Sequence, residues 1–212
     1  MKKNNTYKFN VKTNRPEEIY EKASDYFKGD VLINYAKSKS LMRIQEKITA
    51  RAIELLDLKE KDILILDAGS GPGFTSIYLK ELGYHVVALD IIKQFLTFYN
   101  INELNPIAAD MCAIPFKPNS FNAIISISAL QWIFRDLHDD FMYTNLLKLV
   151  RSIEMVLKPK ASAIFQFYPK NNVIMEEIGK IFYDNSHLRG NFIIDNPENV
   201  KKRKIFLKLS KK

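Results

Sequence analysis

Hydrophobic and polar residues follow two alternating periods along most of the chain. Over residues 38–58 apolar side chains recur every three or four positions, which predicts an amphipathic helix. A short aliphatic run at residues 62–67 then ends in glycines, a pattern typical of a buried parallel strand that feeds a turn. The same alternation predicts further strands at residues 84–89, 106–109, 121–128, 161–167, 191–194 and 204–209, and further helices at residues 74–82, 93–103, 137–157 and 173–184.

Repeated strand–helix units indicate a parallel sheet that is covered by helices on both faces and joined by right-handed crossovers. The last two predicted strands have no clear helix between them, so we expect a hairpin and one antiparallel strand at the far edge. The fold class is therefore predicted to be α/β, with an open, doubly wound, mostly parallel seven-stranded sheet and one antiparallel strand. Ligands in such sheets bind at the carboxyl ends of the strands, near the point where the strand order reverses.

The start of the chain differs from the rest. Up to about residue 29 it is polar, and it predicts an arm with a short helix near residues 16–27. Pro16 fits the first turn of that helix, and Glu17 and Glu18 suit its positive end. We accordingly divide the chain into an N-terminal arm and helix at residues 1–40 and a main domain at residues 41–212.

Composition excludes several classes of protein. With 47% hydrophobic residues the chain can fill a packed interior, and its single cysteine excludes an intramolecular disulfide framework and a multi-cysteine zinc site. His85, His138 and His187 show no metal-ligand spacing, so no metal is predicted. Since no apolar run is long enough to cross a membrane and no secretory signal is present, we expect a cytoplasmic protein, or a nuclear one in a eukaryote. The formal net charge of +8 favours a polyanionic partner without identifying it.

The most specific motif joins the first predicted strand to the next helix. Asp67 ends that strand, and Gly69, Gly71 and Gly73 follow it at every second position. Glycine lets the backbone turn sharply and approach a ligand closely, and Pro72 can begin a helix because its missing N–H would have no partner there. An acid two positions before this glycine series is more specific than an ordinary tight turn, and it predicts a cofactor site.

Two cofactors are alternatives for this turn. The fingerprint of nicotinamide-dinucleotide folds would need glycine or alanine at the position of Phe74, and it would place the carboxylate of Asp67 beside a pyrophosphate. S-adenosylmethionine carries a sulfonium and an ammonium group and no phosphate. The residues therefore favour S-adenosylmethionine over a dinucleotide.

Two more acids end the next two predicted strands. Asp90 lies about 20 residues beyond the glycine turn, at the position that holds ribose hydroxyls in doubly wound folds. Asp110 can accept a hydrogen bond from an adenine amine, and the thioether of Met111 can pack on the ring. One such acid alone is more often a helix cap, but acids after three successive strands predict one cofactor site. The remaining predicted cofactor contacts are Ser70, Ile91 and Ser128.

From about residue 40 to residue 170 these features resemble the class I S-adenosylmethionine-dependent methyltransferases. The resemblance implies that the glycine turn and Asp67 contact the methionine part of the cofactor and that Asp90 contacts the ribose. It also implies that Asp110 and Met111 contact the adenine. The fold of that family is Rossmann-like, in agreement with the predicted sheet.

A second resemblance covers nearly the whole chain. It is carried by the segments at residues 16–20, 44–45, 51–56, 125–132, 166–171 and 194–199. Together these segments resemble the small-subunit ribosomal RNA guanine-N7 methyltransferases, which act on eukaryotic 18S rRNA and have archaeal relatives. The resemblance implies methyl transfer to guanine N7 of ribosomal RNA in the small subunit or its precursor. The family's long basic C-terminal extension is missing after Lys212, which we expect of an archaeal member.

Candidate acceptor-binding residues follow the fourth and fifth predicted strands. The resemblance implies that Trp132, Phe167 and Tyr168 border a guanine pocket, with Gln131 and Pro169 beside them. Trp132 and Tyr168 are candidates for positioning the base, and no catalytic residue is assigned, because the lone pair of guanine N7 is free and needs only orientation. Core packing remains the alternative for Trp132 and Phe167. Similarly, the basic run at residues 201–204 suits either RNA phosphates or a solvated face.

A partner surface is predicted beside the third strand. The helix after Asp90 carries apolar residues on more than one face, with Phe98 and Ile101 pointing away from the main stripe. The strand that contains Pro106 and Ile107 is short and is expected at the sheet edge, where backbone groups stay open to another strand. The resemblance implies that a small zinc-ribbon activator protein binds there by strand addition. Packing of Phe98 under the N-terminal arm is the alternative.

Two other functions stay open. A Gln-Trp pair after the fourth strand also occurs in carboxyl methyltransferases, so the acceptor could be a small molecule or a protein carboxyl or amine group. The chain could also be a ribosome-assembly factor whose catalysis is dispensable.

Overall fold

The fold is built on one sheet, in a computed structural model that describes residues 15–99 and 104–212. Its seven strands are β1 (Leu64–Ala68), β2 (His85–Asp90), β3 (Asn105–Ala108), β4 (Phe121–Ile127), β5 (Leu157–Phe167), β6 (Leu188–Asp195) and β7 (Lys204–Lys211). The α-helices are α1 (Pro16–Ile19), α2 (Ala23–Tyr26), α3 (Gly29–Ala36), α4 (Lys39–Leu56), α5 (Phe74–Glu81), α6 (Leu130–Ile133), α7 (Asp140–Val156) and α8 (Asn172–Asn185). Two 3₁₀ turns span Lys93–Phe98 and Met111–Ala113.

The strand order is β3-β2-β1-β4-β5-β7-β6. β1 pairs in parallel with both β2 and β4, and the order reverses between β1 and β4, so the crevice at the carboxyl ends of these strands is the expected ligand site. β7 runs antiparallel to β5 and to β6. The predicted sheet is therefore confirmed.

The expected place of the antiparallel strand is wrong. β6 forms the edge, and β7 lies between β6 and β5. After α8 the chain enters β6 one position beyond β5, and the hairpin then returns β7 into the gap.

Alternate side chains of the strands build a core on each face of the sheet. Ile65 packs with Ala52 of α4 and Leu79 of α5, whereas its neighbour Leu66 packs on the opposite face in the cluster that includes Leu149 of α7. All five of these side chains are fully buried. The two covered faces fix the strands, so the loops at their carboxyl ends have a rigid support.

The N-terminal segment and the helix after β2 differ from the prediction. One helix was expected near residues 16–27, but α1 and α2 are separate single turns, and α3 was not predicted. The predicted division at residue 40 falls inside α4, which begins at Lys39. The helix expected at residues 93–103 is a 3₁₀ turn as far as Phe98, with the N–H of Tyr99 donating to the carbonyl of Leu96, and residues 100–103 lie outside the described residues.

Within the described parts of the chain, no helix combines the length and the apolar character needed to cross a membrane.

Candidate functional site

The loop between β1 and α5 turns at three glycines in the left-handed region. Gly69, Gly71 and Gly73 have φ angles of 78°, 53° and 95°. The N–H groups of Gly69 and Ser70 both donate to the carbonyl of Leu89, at 2.8 and 3.0 Å, so the loop is fastened to the end of β2. This conformation suits glycine because a Cβ atom makes it strained.

Two of these glycines are also required by close contacts. A Cβ on Gly69 would lie 2.5 Å from the Cβ of Ala129, and one on Gly73 would lie 2.6 Å from the ring of Tyr99. Next to Gly71, by contrast, nothing lies within 4 Å of the position of a Cβ. The loop is therefore packed tightly on both sides of Gly71 and open at Gly71 itself, where a ligand can approach the backbone.

Asp67 is buried at the end of β1, with 1% of its surface exposed. One carboxylate oxygen accepts a hydrogen bond of 2.5 Å from the hydroxyl of Ser76, while the other has no partner among the described residues. Burial, reinforced by the charge of Asp90, raises the pKa of Asp67 to about 7. A buried acceptor without a partner is costly, so this carboxylate favours a cationic or hydrogen-bond-donating ligand group.

Asp90 ends β2 and holds the glycine loop from the other side. Its two oxygens accept hydrogen bonds from the N–H groups of Gly71, at 2.7 Å, and Ile92, at 2.8 Å. Burial raises the pKa of Asp90, and these backbone bonds oppose that shift. Each oxygen retains a further lone pair, so the carboxylate can still accept hydrogen bonds from ligand hydroxyls.

The segment after β3 supplies a polar and an apolar group side by side. Asp110 begins the 3₁₀ turn and accepts a hydrogen bond of 2.8 Å from the N–H of Cys112. Met111 is buried behind it, and its thioether comes near the glycine loop at Gly69. Burial is the main cause that raises the pKa of the Cys112 thiol, which keeps it protonated at neutral pH.

These segments surround a cavity of about 410 Å³ at the carboxyl ends of the strands. Of the nine predicted cofactor residues, all except Asp67 line it. The charged side chains on the described wall are Glu21, Lys22, Asp90 and Asp110, so acids outnumber bases there. The volume is that of a small-molecule site.

The cavity has a roof, made by the N-terminal segment, that sequence reasoning missed. Phe27 and Tyr35 line the cavity, and their rings lie 5.1 and 5.8 Å from the ring of Phe95. Burial raises the pKa of Tyr35 to about 12. The available signal was the concentration of aromatic residues in a segment that is otherwise polar, which is unusual for an arm exposed to solvent.

Two arginines hold this roof in place. Arg135 donates to the carbonyls of Tyr20 and Glu21 at 3.3 and 3.2 Å, between α1 and α2. Arg15 donates to the carbonyls of Tyr168 and Pro169 at 2.9 and 3.3 Å, just after β5. Residues 15–21, which include both attachments, therefore cross the carboxyl edge of the sheet from β5 toward β4.

The predicted acceptor residues occupy different environments. Trp132 lines the cavity, and its ring stacks on Tyr26 with 6.1 Å between centroids. Gln131 is buried, with its amide oxygen lacking a partner among the described residues. Phe167 is fully buried in the core, and Pro169 is buried as well, so the structure does not bring them to the cavity wall.

Tyr168 is half-buried beside the roof. Its ring has the guanidinium of Arg15 at 6.0 Å and the ammonium of Lys204 at 5.4 Å. It therefore lies in a basic surface next to the cavity rather than on the described cavity wall.

The predicted partner surface lies at a true sheet edge. β3 is the outermost strand beside β2, and Pro106 and Ile107 belong to it. The side chain of Phe98 is 36% exposed, and Ile101 lies outside the described residues. The N–H of Ala109 donates to the carbonyl of Asp90, so by alternation the N–H of Ala108 points away from the sheet.

The residues around the cavity fit S-adenosylmethionine. The space at Gly71 admits a ligand against the backbone, and the carboxylate of Asp90 can accept from a ribose. Asp67 does not itself line the cavity, but its unpartnered oxygen at the base of the glycine loop suits an ammonium group. A diphosphate would instead meet a wall on which acids predominate. Among the described residues, no three His, Cys, Asp or Glu side chains are grouped to hold a metal ion.

Comparisons with known proteins agree with this geometry. The family model described as a methyltransferase domain matches residues 66–165. The 18S rRNA (guanine-N(7))-methyltransferase of Bos taurus is 32% identical over 197 residues, which cover 91% of this chain and 68% of that protein. The 18S rRNA (guanine(1575)-N(7))-methyltransferase of Saccharomyces cerevisiae is 33% identical over 196 residues, covering 87% of this chain and 68% of that protein.

A solved structure supports the fold alone. Geranyl diphosphate C-methyltransferase from Streptomyces coelicolor, in complex with S-adenosyl-L-homocysteine, superimposes with a TM-score of 0.63 at 12% identity. The match covers 80% of this chain and 77% of that one. The shared sheet thus serves different acceptors, and the choice of acceptor has to be argued from the site.

Proposed function

Since the chain belongs to the S-adenosylmethionine-dependent methyltransferase family of the 18S rRNA (guanine-N7)-methyltransferases, we propose that it methylates guanine N7 in small-subunit ribosomal RNA. The observation that carries the proposal is the similarity to these rRNA enzymes over about nine tenths of the chain. The chain spans about two thirds of the length of the relatives named above.

The chain is a methyltransferase, and its cofactor is S-adenosylmethionine, which supplies an electrophilic methyl group on a sulfonium. We propose that Asp67 holds the ammonium group of the cofactor and that Asp90 accepts from its ribose hydroxyls. Asp110 and Met111 are proposed to contact the adenine. The roof then covers one side of the cavity and keeps these contacts in place.

The acceptor side needs to orient a base rather than remove a proton. The N7 lone pair of guanine is free, so alignment with the sulfonium is the main requirement. No histidine is among the described residues on the cavity wall, and the Cys112 thiol stays protonated at neutral pH. Trp132, stacked on Tyr26, is an aromatic surface on which an unstacked base can lie.

The partner on this side is proposed to be the pre-ribosomal small subunit. The loop between β6 and β7 lies at the carboxyl edge of the parallel strands, as the cavity does, and it contains the exposed Lys201 and Lys202. With a net charge of +8 on the chain, this edge suits RNA phosphates.

The test is incubation of pre-ribosomal small subunits with labelled S-adenosylmethionine, followed by mapping of N7-methylguanine through borohydride–aniline cleavage. We expect one cleavage site with the wild-type chain and none with Asp90→Asn. Asp62→Asn is the matched control, because Asp62 is exposed at the opposite end of the strands and contacts only His85 among the interactions described for its side chain. Methylation of small carboxylic acids without any RNA product would replace this proposal by the carboxyl-methyltransferase alternative.

A catalytically dispensable role in ribosome assembly is tested with the same variant. If Asp90→Asn loses cofactor binding and methylation but subunits still assemble normally in its presence, assembly is a separate function of the chain. If subunit assembly fails with Asp90→Asn, assembly itself depends on methylation or on cofactor binding.

We also propose that a small zinc-ribbon activator protein adds a strand to the edge at β3. Support comes from the outward N–H of Ala108 and from the exposed part of Phe98 beside it. Ala108→Pro removes that N–H and is expected to abolish co-purification with the activator, while Ala108→Val keeps the N–H and should retain it. A chain that is monodisperse, stable and fully active on ribosomal RNA when purified alone would contradict this proposal.

A further inference from the structure

Ser128 has an unusual backbone conformation for its residue type. It follows β4 directly, and its φ angle is 58°, in the left-handed region where side chains with a Cβ are strained. Such strain persists only where surrounding contacts enforce it, and it is frequent at functional sites. Ser128 also lines the cofactor cavity.

Three hydrogen bonds enforce this conformation. The N–H of Ser128 donates to the carbonyl of Gln166 at 2.8 Å, and its hydroxyl donates to the Gln166 side-chain oxygen at 3.0 Å. The side-chain amide of Gln131 donates to the carbonyl of Ser128 at 2.9 Å. We call these three residues the Ser128 clamp.

Burial makes the clamp rigid. Gln166 is completely buried in β5, and its amide nitrogen donates to the carbonyl of Phe167 at 3.3 Å, which fixes the direction of its side-chain oxygen. Gln131 is 6% exposed. Both glutamine side chains are therefore held on the buried side of Ser128, away from the cavity that its other side faces.

The clamp determines where the next residues lie. Ala129 follows Ser128. Its Cβ lies where a Cβ on residue 69 would collide with it, so this arrangement requires glycine at position 69. The carbonyl of Ala129 then accepts a hydrogen bond of 3.0 Å from the N–H of Trp132. The conformation of Ser128 thus links the donor-side loop at Gly69 to the aromatic residue on the acceptor side.

We propose that Gln166 is a positioning residue for methyl transfer: through the Ser128 clamp it sets the distance and orientation of Trp132 relative to the glycine loop. Gln166 itself is not part of the described cavity wall, and on this proposal it contacts neither substrate. The identity of the acceptor rests on the proposed function, whereas the mechanical role of the clamp does not.

The first experiment replaces Gln166 with methionine, which has a similar volume and makes neither side-chain hydrogen bond. We expect kcat to fall by about 10- to 100-fold, because a small misplacement of an aligned group has effects of that size. The KM for ribosomal RNA and the Kd for S-adenosylmethionine should change by less than about threefold, since uniform binding is retained. Trp132 is the only tryptophan, so its fluorescence spectrum should shift in the same variant without any acceptor present.

The second experiment is rescue in the Gln166→Met background. Adding Ser128→Gly should restore both kcat and the Trp132 spectrum toward wild type, because glycine adopts the left-handed conformation without a clamp. Ser128→Ala is the matched control: it also removes the unpaired hydroxyl but keeps the strained Cβ, so we expect no rescue. Lys160→Gly, at a left-handed residue within β5 with φ of 65°, controls for general relief of strain and should not rescue either.

The outcomes separate this proposal from the proposed function. Wild-type kcat and an unchanged Trp132 spectrum in Gln166→Met would overturn it, as would equal rescue by Ser128→Ala or Lys160→Gly. If the wild-type chain methylates no ribosomal RNA but the spectral shift and its selective rescue by Ser128→Gly are observed, the clamp is supported and the acceptor assignment fails.

Discussion

The donor site depends on carboxylates that the fold deprives of water. Asp67 has an oxygen with no partner among the described residues, and its pKa is raised to about 7 mainly by burial. Asp90 shares the burial but has two backbone donors, so its charge is partly compensated before any ligand binds. At the residue scale, the two acids therefore differ in how much they gain from a cationic ligand.

This difference predicts a pH dependence of cofactor binding. An ammonium group binds the ionised form of Asp67, so the Kd for S-adenosylmethionine should be about tenfold higher at pH 6 than at pH 8. Isothermal titration calorimetry across this range measures it, and Asp67→Asn should bind weakly with little pH dependence. A wild-type Kd that stays constant between these two pH values would contradict the assignment of Asp67.

The unliganded protein should show the linked effect on stability. Because the folded pKa of Asp67, about 7, lies above its ordinary value of 3.8, the folded state holds the extra proton between these values. The contribution of the neutral carboxyl to the free energy of unfolding is fully present below about pH 4 and is lost as the pH rises through about 7. Urea titrations of wild type and Asp67→Asn should therefore diverge over this window, with wild type losing stability relative to the variant as the pH rises.

A second residue-scale prediction concerns the glycine loop. Gly69→Ala places a Cβ 2.5 Å from that of Ala129 at a φ of 78°, whereas Gly83→Ala meets the same kind of strain, with φ of 89°, but nothing within 4 Å. We expect both variants to lose about 1–3 kcal/mol of unfolding free energy from the backbone strain alone. Overlap should add roughly 1–3 kcal/mol in Gly69→Ala only.

Urea denaturation and calorimetry measure these two quantities. The affinity for S-adenosylmethionine should fall in Gly69→Ala and stay at the wild-type value in Gly83→Ala, which lies at the far end of α5. Equal losses of affinity in both variants would mean that global destabilisation, rather than the shape of the loop, controls cofactor binding.

At the element scale, the sheet could be predicted from the sequence and the roof could not. β1, β2 and β4 are buried aliphatic runs with one clear period, and each was predicted to within two residues at either end. α1, α2 and α3 are short, and the last two are stabilised by tertiary packing, since Leu32 and Phe27 contact Phe95 in the cluster beside the cavity. A single sequence carries the local pattern but not the tertiary contact, so elements of one or two turns are poorly predicted.

The roof yields the next prediction. Arg135→Ala removes the hydrogen bonds to the carbonyls of Tyr20 and Glu21, and the dissociation rate of S-adenosylmethionine should rise by about 3- to 10-fold, because these two exposed bonds together contribute roughly 1 kcal/mol. Stopped-flow displacement measures the rate. Arg151→Ala, an exposed arginine on α7, is the matched control and should leave it unchanged. Equal rates in wild type and Arg135→Ala would show that the roof does not retain the cofactor.

At the scale of the whole molecule, the donor site was more predictable than the acceptor site. Asp67, Asp90 and Asp110 end successive strands, and a parallel sheet brings such ends together whatever the loop lengths. The predicted acceptor side chains follow β4 and β5, and their positions depend on the shape of the turns there, which the sequence pattern does not specify. As a result Trp132 was placed at the cavity, while Phe167 was expected there and lies in the core.

The surface charge is also arranged at this scale. β6 runs parallel to β5 because both pair antiparallel with β7, so the loop after β6 lies on the same side of the sheet as the cavity. Lys201 and Lys202 are exposed in that loop, beside Lys204 and Tyr168. The loops before β1 and β4, with Lys59 and Lys117, lie on the opposite side. An RNA that reaches the cavity can therefore contact Lys201 and Lys202 but not Lys59 and Lys117.

The double variant Lys201→Glu/Lys202→Glu should therefore bind small-subunit ribosomal RNA more weakly. If both lysines neutralise phosphates, the slope of log K against log salt should become shallower by about 1.4–1.8, at roughly 0.7–0.9 for each phosphate that is no longer neutralised. Lys59→Glu/Lys117→Glu changes the net charge equally and should reduce the affinity much less, with a change in slope below about 0.4. Filter binding at several salt concentrations measures both. Equal slopes in the two double variants would mean that net charge alone attracts the RNA, and the cavity side of the sheet would then not be the RNA-binding surface.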